Sequence, residues 1–281
     1  MCIRSGATPD TVRYVHGDGH VHLYPQYDTG AFFRRGLGLA RRFDAPLLLL
    51  LAEADGYDCF RALSADVESP ALSGLSFERT AEPSSLRVRD KGRDGPGVFL
   101  ISGRQLLSRE NLEVLVIGLE PGHELYSSRP KERSTEELTR QGLEAGAITV
   151  LPWGFGKWLG ERGRHVRELA RRPENQLDPL FFLGDILARC WPWPAPDRRL
   201  AGTRVLPGTD ILPLRGFERR LGEYGFRVRG RFHEERPSGS LVTMLRRRLP
   251  VEPVGEPDRP LRTIFQQLRY RLRARERRPG A

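Results

Sequence analysis

The chain has 281 residues, of which 38% are hydrophobic, and its 46 Lys and Arg against 36 Asp and Glu give a net charge of +10. This length and apolar content predict a folded core and exclude both a disordered chain and a disulfide-stabilised miniprotein. The three cysteines, Cys2, Cys59 and Cys190, lie far apart and form no C-x-x-C pair. Neither a disulfide framework nor a thiolate zinc site is therefore expected.

Short apolar runs bounded by Gly, Pro or Asp predict seven strands, at residues 11–16, 47–51, 98–102, 112–119, 148–153, 179–183 and 203–206. Most of these runs are continuous, as in parallel strands that are buried on both faces. Helical spacing is found between them at residues 30–43, 134–145 and 157–172, and Ser134 with Glu137 forms a capping-box pattern. The alternation of strands and helices predicts an α/β fold.

Two stretches depart from this alternation. Residues 82–97 are polar and rich in Gly and Pro, which predicts a loop. Beyond residue 232 the pattern fades, and the sequence predicts a domain over residues 1–232 followed by a C-terminal extension over residues 233–281. The extension ends in a basic helix over residues 261–275 with an apolar stripe. We expect this stripe to dock on the body of the protein, with contact to a membrane surface or RNA as the alternative.

The positive charge has two explanations. All but three of the 46 basic residues are arginines, and they are spread along the whole chain. This spread favours a coding bias over a dedicated surface for polyanions, so nucleic-acid binding is an alternative and not the favoured prediction. The most apolar run, residues 46–52, is far shorter than the ~20 residues of a membrane helix. We expect a cytoplasmic protein without a transmembrane segment or signal peptide.

The sharpest motif is D-G-H-V-H at residues 18–22, directly after the first predicted strand. Alternate residues of an extended segment point to the same side, so Asp18, His20 and His22 are expected to converge. Imidazoles and carboxylates together suit zinc, manganese or iron. The alternative is a pair of histidines on a turn, satisfied by solvent.

Two further segments carry candidate site residues. Asp210 follows a predicted strand and a Gly-Thr turn, where it can either meet the histidines or cap the next segment. Lys157 lies in a glycine-containing turn between a predicted strand and a helix. Such a turn suits an anion, so Lys157 is expected to hold a phosphate or an oxyanion, with a solvated lysine as the alternative.

Several motifs occur in the order found in the PHP (polymerase and histidinol phosphatase) superfamily, which the chain resembles over about residues 12–230. They are D-G-H-V-H at 18–22, G-R-Q at 103–105, E-V-L-V-I-G at 113–118, E-A-G-A-I-T-V-L-P at 144–152 and G-T-D at 208–210. The resemblance implies a distorted (β/α)7-type TIM-like barrel with metal ions at the carboxyl ends of its strands. It also implies that His20, His22 and Asp210 bind metal, that Glu53 lies near a second-strand ligand, and that Asp185 is a sixth-strand carboxylate.

The sequence departs from the family pattern at three ligand positions. Gln105 replaces a metal-binding Glu, Trp153 replaces a His, and Leu212 replaces the last His. We therefore expect one or two divalent ions (Zn, Mn or Fe) and not a trinuclear site.

The resulting functional prediction is a metal-dependent hydrolase that acts on a small phosphorylated or otherwise anionic substrate through a metal-activated water. Lys157 would steady the substrate's charge, and Asp185 or Glu53 would orient the water. The rival prediction is a scaffold of the same kind that has lost catalysis and binds nucleic acid or protein. The three departures favour this rival.

Overall fold

Twelve β-strands dominate the part of the chain that the computed structural model describes, which is residues 12–65, 72–153, 160–189, 196, 200 and 202–276. The strands are β1 (Val12–Val21), β2 (Leu47–Leu51), β3 (Leu75–Arg79), β4 (Ser85–Asp90), β5 (Val98–Ile101), β6 (Gly103–Leu107), β7 (Glu113–Ile117), β8 (Ile148–Trp153), β9 (Phe181–Ile186), β10 (Val205–Gly208), β11 (Tyr224–Arg231) and β12 (Glu252–Gly255). The α-helices are α1 (Thr29–Phe43), α2 (Cys59–Ser64), α3 (Thr135–Glu144), α4 (Gly160–Arg171), α5 (Pro173–Leu177), α6 (Pro237–Arg246) and α7 (Pro260–Glu276). Short 3-10 helices span Glu124–Ser127 and Phe217–Arg220.

The strands form two sheets. The first has seven strands in the order β12-β11-β1-β2-β5-β4-β3, and the second has five in the order β10-β9-β8-β7-β6. The centre of the first sheet is parallel, because β2 pairs in parallel with both β1 and β5. In the second sheet β9 pairs in parallel with β8 and β10. The remaining pairs are antiparallel.

The predicted TIM-like (β/α)7 barrel is wrong, because the described strands form two separate sheets of seven and five strands. The reason is visible at β1 and β5. One edge of β1 is taken by β2 and the other by the antiparallel strand β11. Likewise, β5 lies between β2 and the antiparallel strand β4. A strand has only two hydrogen-bonding edges, and these partners occupy both edges of β5 and most of β1. Short links join the two sheets instead: Glu53 after β2 bridges to Arg104 of β6, and the Asp210 N–H donates to the carbonyl oxygen of His20.

Three apolar layers hold the sheets and helices together. One lies between the sheets and contains side chains from both, including Leu48, Leu50, Leu115 and Phe182. A second packs α1 on the first sheet. The third packs α3 and α4 on the second sheet. The run of leucines in β2 is continuous because both faces of the strand are buried. Alternate leucines face the inter-sheet core and the α1 side.

Several predicted elements match the structure closely. The predicted strand over residues 47–51 is β2, the one over 148–153 is β8, and the predicted capping box on α3 is present at Ser134 and Glu137. The predicted loop over residues 82–97 is partly wrong, because β4 lies within it and pairs with β3 and β5. Strands β3, β6, β11 and β12 also lie outside the predicted set.

The residues beyond 232 share the core of the preceding ones. Leu241, Met244 and Leu245 of α6 lie in the inter-sheet core, and β12 pairs with β11. The expected docking of the apolar stripe of the last helix is wrong for its described side chains. Leu261 and Phe265 of α7 are 83% and 68% exposed, whereas its polar residues Thr263 and Gln266 are buried.

None of the helices in the described part of the chain has both the length and the apolar character needed to cross a membrane.

Candidate metal centre

Two histidines near the end of β1 form the centre of the candidate site. His20 and His22 are almost completely buried, and their Nε2 atoms lie 3.0 Å apart. The pairing of β1 with β2 shifts register between Asp18 and Val21. This irregularity lies where the strand carries His20, and such bulges re-aim side chains next to functional sites.

Asp210 joins the histidines from the loop that follows β10. Its backbone N–H donates a hydrogen bond of 2.9 Å to the carbonyl oxygen of His20. Its Oδ1 lies 3.3 Å from Nε2 of His22 and 3.5 Å from Nε2 of His20. Asp210 adopts a left-handed backbone conformation with φ of 44°, which Asp tolerates better than most residues and which recurs at functional sites.

The three side chains have the spacing of a metal site. One ligand atom from each of His20, His22 and Asp210 lies within 4.8 Å of the others. Ligands about 2.0–2.1 Å from a tetrahedral zinc ion stand about 3.3 Å from one another. The separations of 3.0, 3.3 and 3.5 Å therefore fit one face of a metal tetrahedron.

Gln105 lies beside this group, at the position where the family resemblance implies a metal-binding Glu. The replacement removes a carboxylate but keeps an oxygen ligand, because the Oε1 of Gln105 is 3.2 Å from Nε2 of His20. An amide oxygen is a neutral ligand that harder divalent ions accept. Gln105 thus presents an oxygen to the site.

Two glycines allow β1 and β10 to approach closely enough to form the site. A Cβ on Gly19 would lie 2.6 Å from the carbonyl oxygen of Pro207, and one on Gly208 would lie 2.8 Å from the carbonyl carbon of Gly19. Both contacts are with backbone atoms, which cannot move aside as a flexible side chain can. Glycine at both positions is therefore required for His20 to stand beside Asp210.

Asp18 does not belong to the metal-binding group, although alternation placed it with His20 and His22. Its Oδ1 accepts a hydrogen bond of 2.8 Å from the backbone N–H of Thr209, and its Oδ2 accepts one of 2.6 Å from the Thr209 hydroxyl. Burial raises the pKa of Asp18 to about 6, while the hydrogen bonds from Thr209 act in the opposite direction. Asp18 therefore ties β1 to the segment that carries Asp210.

Tyrosine rings cover one side of the histidines. The ring of Tyr24 stacks on His22 with centroids 5.0 Å apart, and Tyr27 and Tyr57 meet Tyr24 edge-on. The Tyr27 hydroxyl donates to the carbonyl oxygens of Ile211 and Leu212, which holds the chain just after Asp210. Burial raises the pKa of Tyr24, and the negative charge of Asp210 adds to this effect. Tyr24 is therefore neutral at physiological pH.

Glu53 is not one of the clustered residues His20, His22 and Asp210, and its carboxylate binds backbone N–H groups and an arginine instead. Its Oε1 accepts hydrogen bonds from the backbone N–H groups of Cys59 and Phe60 at the start of α2. Its Oε2 lies 3.8 Å from the guanidinium of Arg104. Burial raises the pKa of Glu53, and these N–H groups and Arg104 oppose that shift. Glu53 thus anchors α2.

Asp185 is likewise not part of the group. Its Oδ1 accepts a hydrogen bond of 2.6 Å from Nε of Arg189, and its Oδ2 accepts one of 2.6 Å from the Tyr224 hydroxyl. Burial raises the pKa of Asp185, against the effect of Arg189. Lys157, the predicted anion-binding residue, and the side chain of Trp153 lie outside the described residues.

Comparison with known proteins gives a fold relative and no family. No protein-family model and no curated protein sequence matches the chain. The crystal structure of PsfC from Pseudomonas syringae PB-5123 is similar, with a TM-score of 0.54 and 13% sequence identity. The alignment covers 92% of this chain and 99% of that one. At this identity the likeness concerns the fold alone.

Proposed function

We propose that this protein is a metal-dependent hydrolase with a single divalent ion held by His20, His22 and Asp210. The observation that carries the proposal is the separation of 3.0–3.5 Å between the three ligand atoms. Two imidazoles and a carboxylate are a common set for zinc, manganese and iron, and Gln105 is placed to complete or support it. With His20, His22 and Asp210 as its only protein ligands, a tetrahedral ion would keep one coordination position for substrate or water.

A divalent ion in this site would supply Lewis-acid activation of a water molecule or of the substrate. The chain's own residues determine which side is open to the substrate. The side chains of His20 and His22 are 3% exposed, whereas that of Asp210 is 18% exposed. Asp210 therefore borders the solvent-facing side of the centre, and a substrate would approach from there. Tyr24 excludes water from the side of His22.

The proposed substrate is a small anionic molecule, such as a phosphate ester. Two arginines near the site support this choice, and each would have to exchange a carboxylate partner for the substrate, Glu53 at Arg104 and Asp185 at Arg189. Arg104 adjoins Gln105 on β6, and Arg189 follows β9, the strand next to β10. The carboxyl ends of neighbouring parallel strands meet at one edge of a sheet, so Arg189 and Asp210 lie at the same edge. A single guanidinium group can donate two parallel hydrogen bonds to two oxygens of a phosphate or carboxylate.

The rival function is a metal-free binding module, in which the histidines hydrogen-bond to each other and to Asp210. The two functions differ in metal content. We would purify the protein without a metal-binding tag and measure Zn, Mn and Fe by elemental analysis in the wild type, His22→Ala, Asp210→Asn and Asp185→Asn. Asp185→Asn is the matched control, because Asp185 is a buried strand-end carboxylate that binds Arg189 and Tyr224.

We expect about one equivalent of metal in the wild type and the control, and less than about a tenth of that in the other two variants. Metal-loaded wild type should hydrolyse p-nitrophenyl phosphate or bis-p-nitrophenyl phosphate, and His22→Ala should not. A wild type that stays metal-free after incubation with all three ions would overturn the proposal. Metal that persists in both His22→Ala and Asp210→Asn would overturn the assigned ligands.

A further inference from the structure

Helix α7 presents an apolar stripe to solvent. Leu261, Ile264, Phe265 and Leu268 are 83%, 46%, 68% and 55% exposed. Their spacing places all four on one face of a helix with 3.6 residues per turn. Among the described residues only three other large hydrophobic side chains are exposed to a similar degree, two on β1 and one on α5. An apolar patch of this kind marks an interaction surface.

The opposite face of α7 is polar and fixed to the body of the protein. Thr263 and Gln266 are buried, and the Gln266 side-chain oxygen accepts a hydrogen bond of 2.9 Å from Arg220. Arg220 also donates to both oxygens of the buried carboxylate of Asp258, just before the helix begins. The helix is therefore held with its apolar stripe directed outward, and rotation of the stripe onto the body would break these bonds.

The sequence around the stripe is strongly basic. Arg269 is exposed on α7, whereas the exposed Arg262 pairs with Glu223 and Asp258. Residues 269–276 of the helix contain four arginines and one glutamate. An exposed apolar stripe accompanied by arginines is the pattern of a helix that lies in the interface of an anionic lipid bilayer. We propose that α7 binds an anionic lipid surface, with Leu261, Phe265 and Leu268 inserted among the lipids and the arginines at the headgroups.

Two other occupants fit the same observations less well. A second copy of the chain would bring two arginine-rich helices together, and like charges repel. Nucleic acid would be bound through the arginines and would leave the apolar stripe in water. The lipid surface uses both features at once. This inference is independent of the metal centre, because no metal ligand lies on α7.

The test is sedimentation of the full chain with sucrose-loaded vesicles of phosphatidylcholine, with and without about 30% phosphatidylglycerol. The wild type should bind the anionic vesicles at about 0.05 M salt, and binding should weaken steeply at about 0.5 M. Leu261→Asp with Phe265→Asp should reduce binding at least tenfold, and Arg269→Glu should reduce it less. The matched control is Leu177→Asp on α5, where the side chain is 73% exposed. It should bind like the wild type.

Several outcomes would overturn the proposal. They are absence of binding to anionic vesicles, equal binding to pure phosphatidylcholine, and full binding by the double aspartate variant. If the wild type does not bind vesicles but forms a dimer in light scattering, and the double variant is monomeric, the stripe binds a second copy of the chain. RNA binding that survives the double variant, again without vesicle binding, would assign the arginines to nucleic acid. Circular dichroism of each variant controls for folding.

Discussion

Both carboxylate oxygens of Asp18 accept hydrogen bonds from Thr209, one from its backbone N–H at 2.8 Å and one from its hydroxyl at 2.6 Å. The two residues are 191 positions apart in the chain. Because Asp18 precedes His20 on β1 and Thr209 precedes Asp210 after β10, this pair sets the distance between the histidines and the third ligand. The pair is buried, so its hydrogen bonds have no competing water.

Replacing Asp18 by Ala should destabilise the protein by about 2–5 kcal/mol, because the Thr209 N–H and hydroxyl are left buried without acceptors. Urea unfolding measures the change. Thr209→Ser keeps both donors and should cost less than about 1 kcal/mol. An Asp18→Ala protein as stable as the wild type would show that the pair contributes nothing to the fold.

Replacing Gly208 by Ala should destabilise the protein by more than about 2 kcal/mol and should weaken metal binding, since the added methyl group meets the backbone of Gly19 and His20. The matched control is Gly38→Ala on α1, where an added Cβ has no neighbour within 4 Å. That change should stabilise the helix by up to about 1 kcal/mol. Thermal unfolding and a zinc titration of both variants check the prediction. Equal effects of the two substitutions would contradict it.

Gln105 should tune the affinity of the site for metal. Gln105→Glu places a charged oxygen at the same position and should tighten zinc binding about tenfold, whereas Gln105→Leu removes the oxygen and should weaken it by about 10–100-fold. Competition with a chromogenic chelator measures both constants. Gln141→Leu on α3, which removes an amide bound to Arg133, should leave the affinity unchanged. The role assigned to Gln105 fails if all three variants bind zinc like the wild type.

The Arg220–Asp258 pair should hold α7 to the body. Arg220→Ala removes the closer of two arginines from the buried Asp258 carboxylate and leaves Arg262 at 3.5 Å, so it should cost about 3 kcal/mol, with increased hydrogen exchange over residues 258–270. Arg227→Ala breaks a pair with Glu252 in which both side chains are 44% exposed, and should cost less than about 1 kcal/mol. Unchanged exchange in α7 of Arg220→Ala would show that other contacts hold the helix.

The elements predicted correctly from the sequence are those with a local cause. The five leucines of β2 are buried on both faces of the strand, and their continuous run in the sequence therefore indicates a central strand. The capping box at Ser134 and Glu137 is complete within four residues. By contrast, β3 and β4 pair antiparallel at the side of the sheet and contain polar residues, so their sequence resembles a loop. Strand β3 is an edge strand, which is solvated on more sides and needs fewer apolar residues, whereas β4 lies between β3 and β5.

The residues of the candidate site also fall into those that the sequence predicts and those that only the fold brings together. The sequence by itself determined which residue types stand at the end of β1, and the H-x-H spacing made His20 and His22 neighbours whatever the fold. Only the tertiary structure decided that Asp210 and Gln105 join them, that Asp18 and Glu53 hold backbone instead, and that the sheets do not close into a barrel. These outcomes depend on contacts between residues tens to hundreds of positions apart, such as Gly19 against Pro207. Local patterns predict the direction of a side chain, and the packing of distant segments determines its partners.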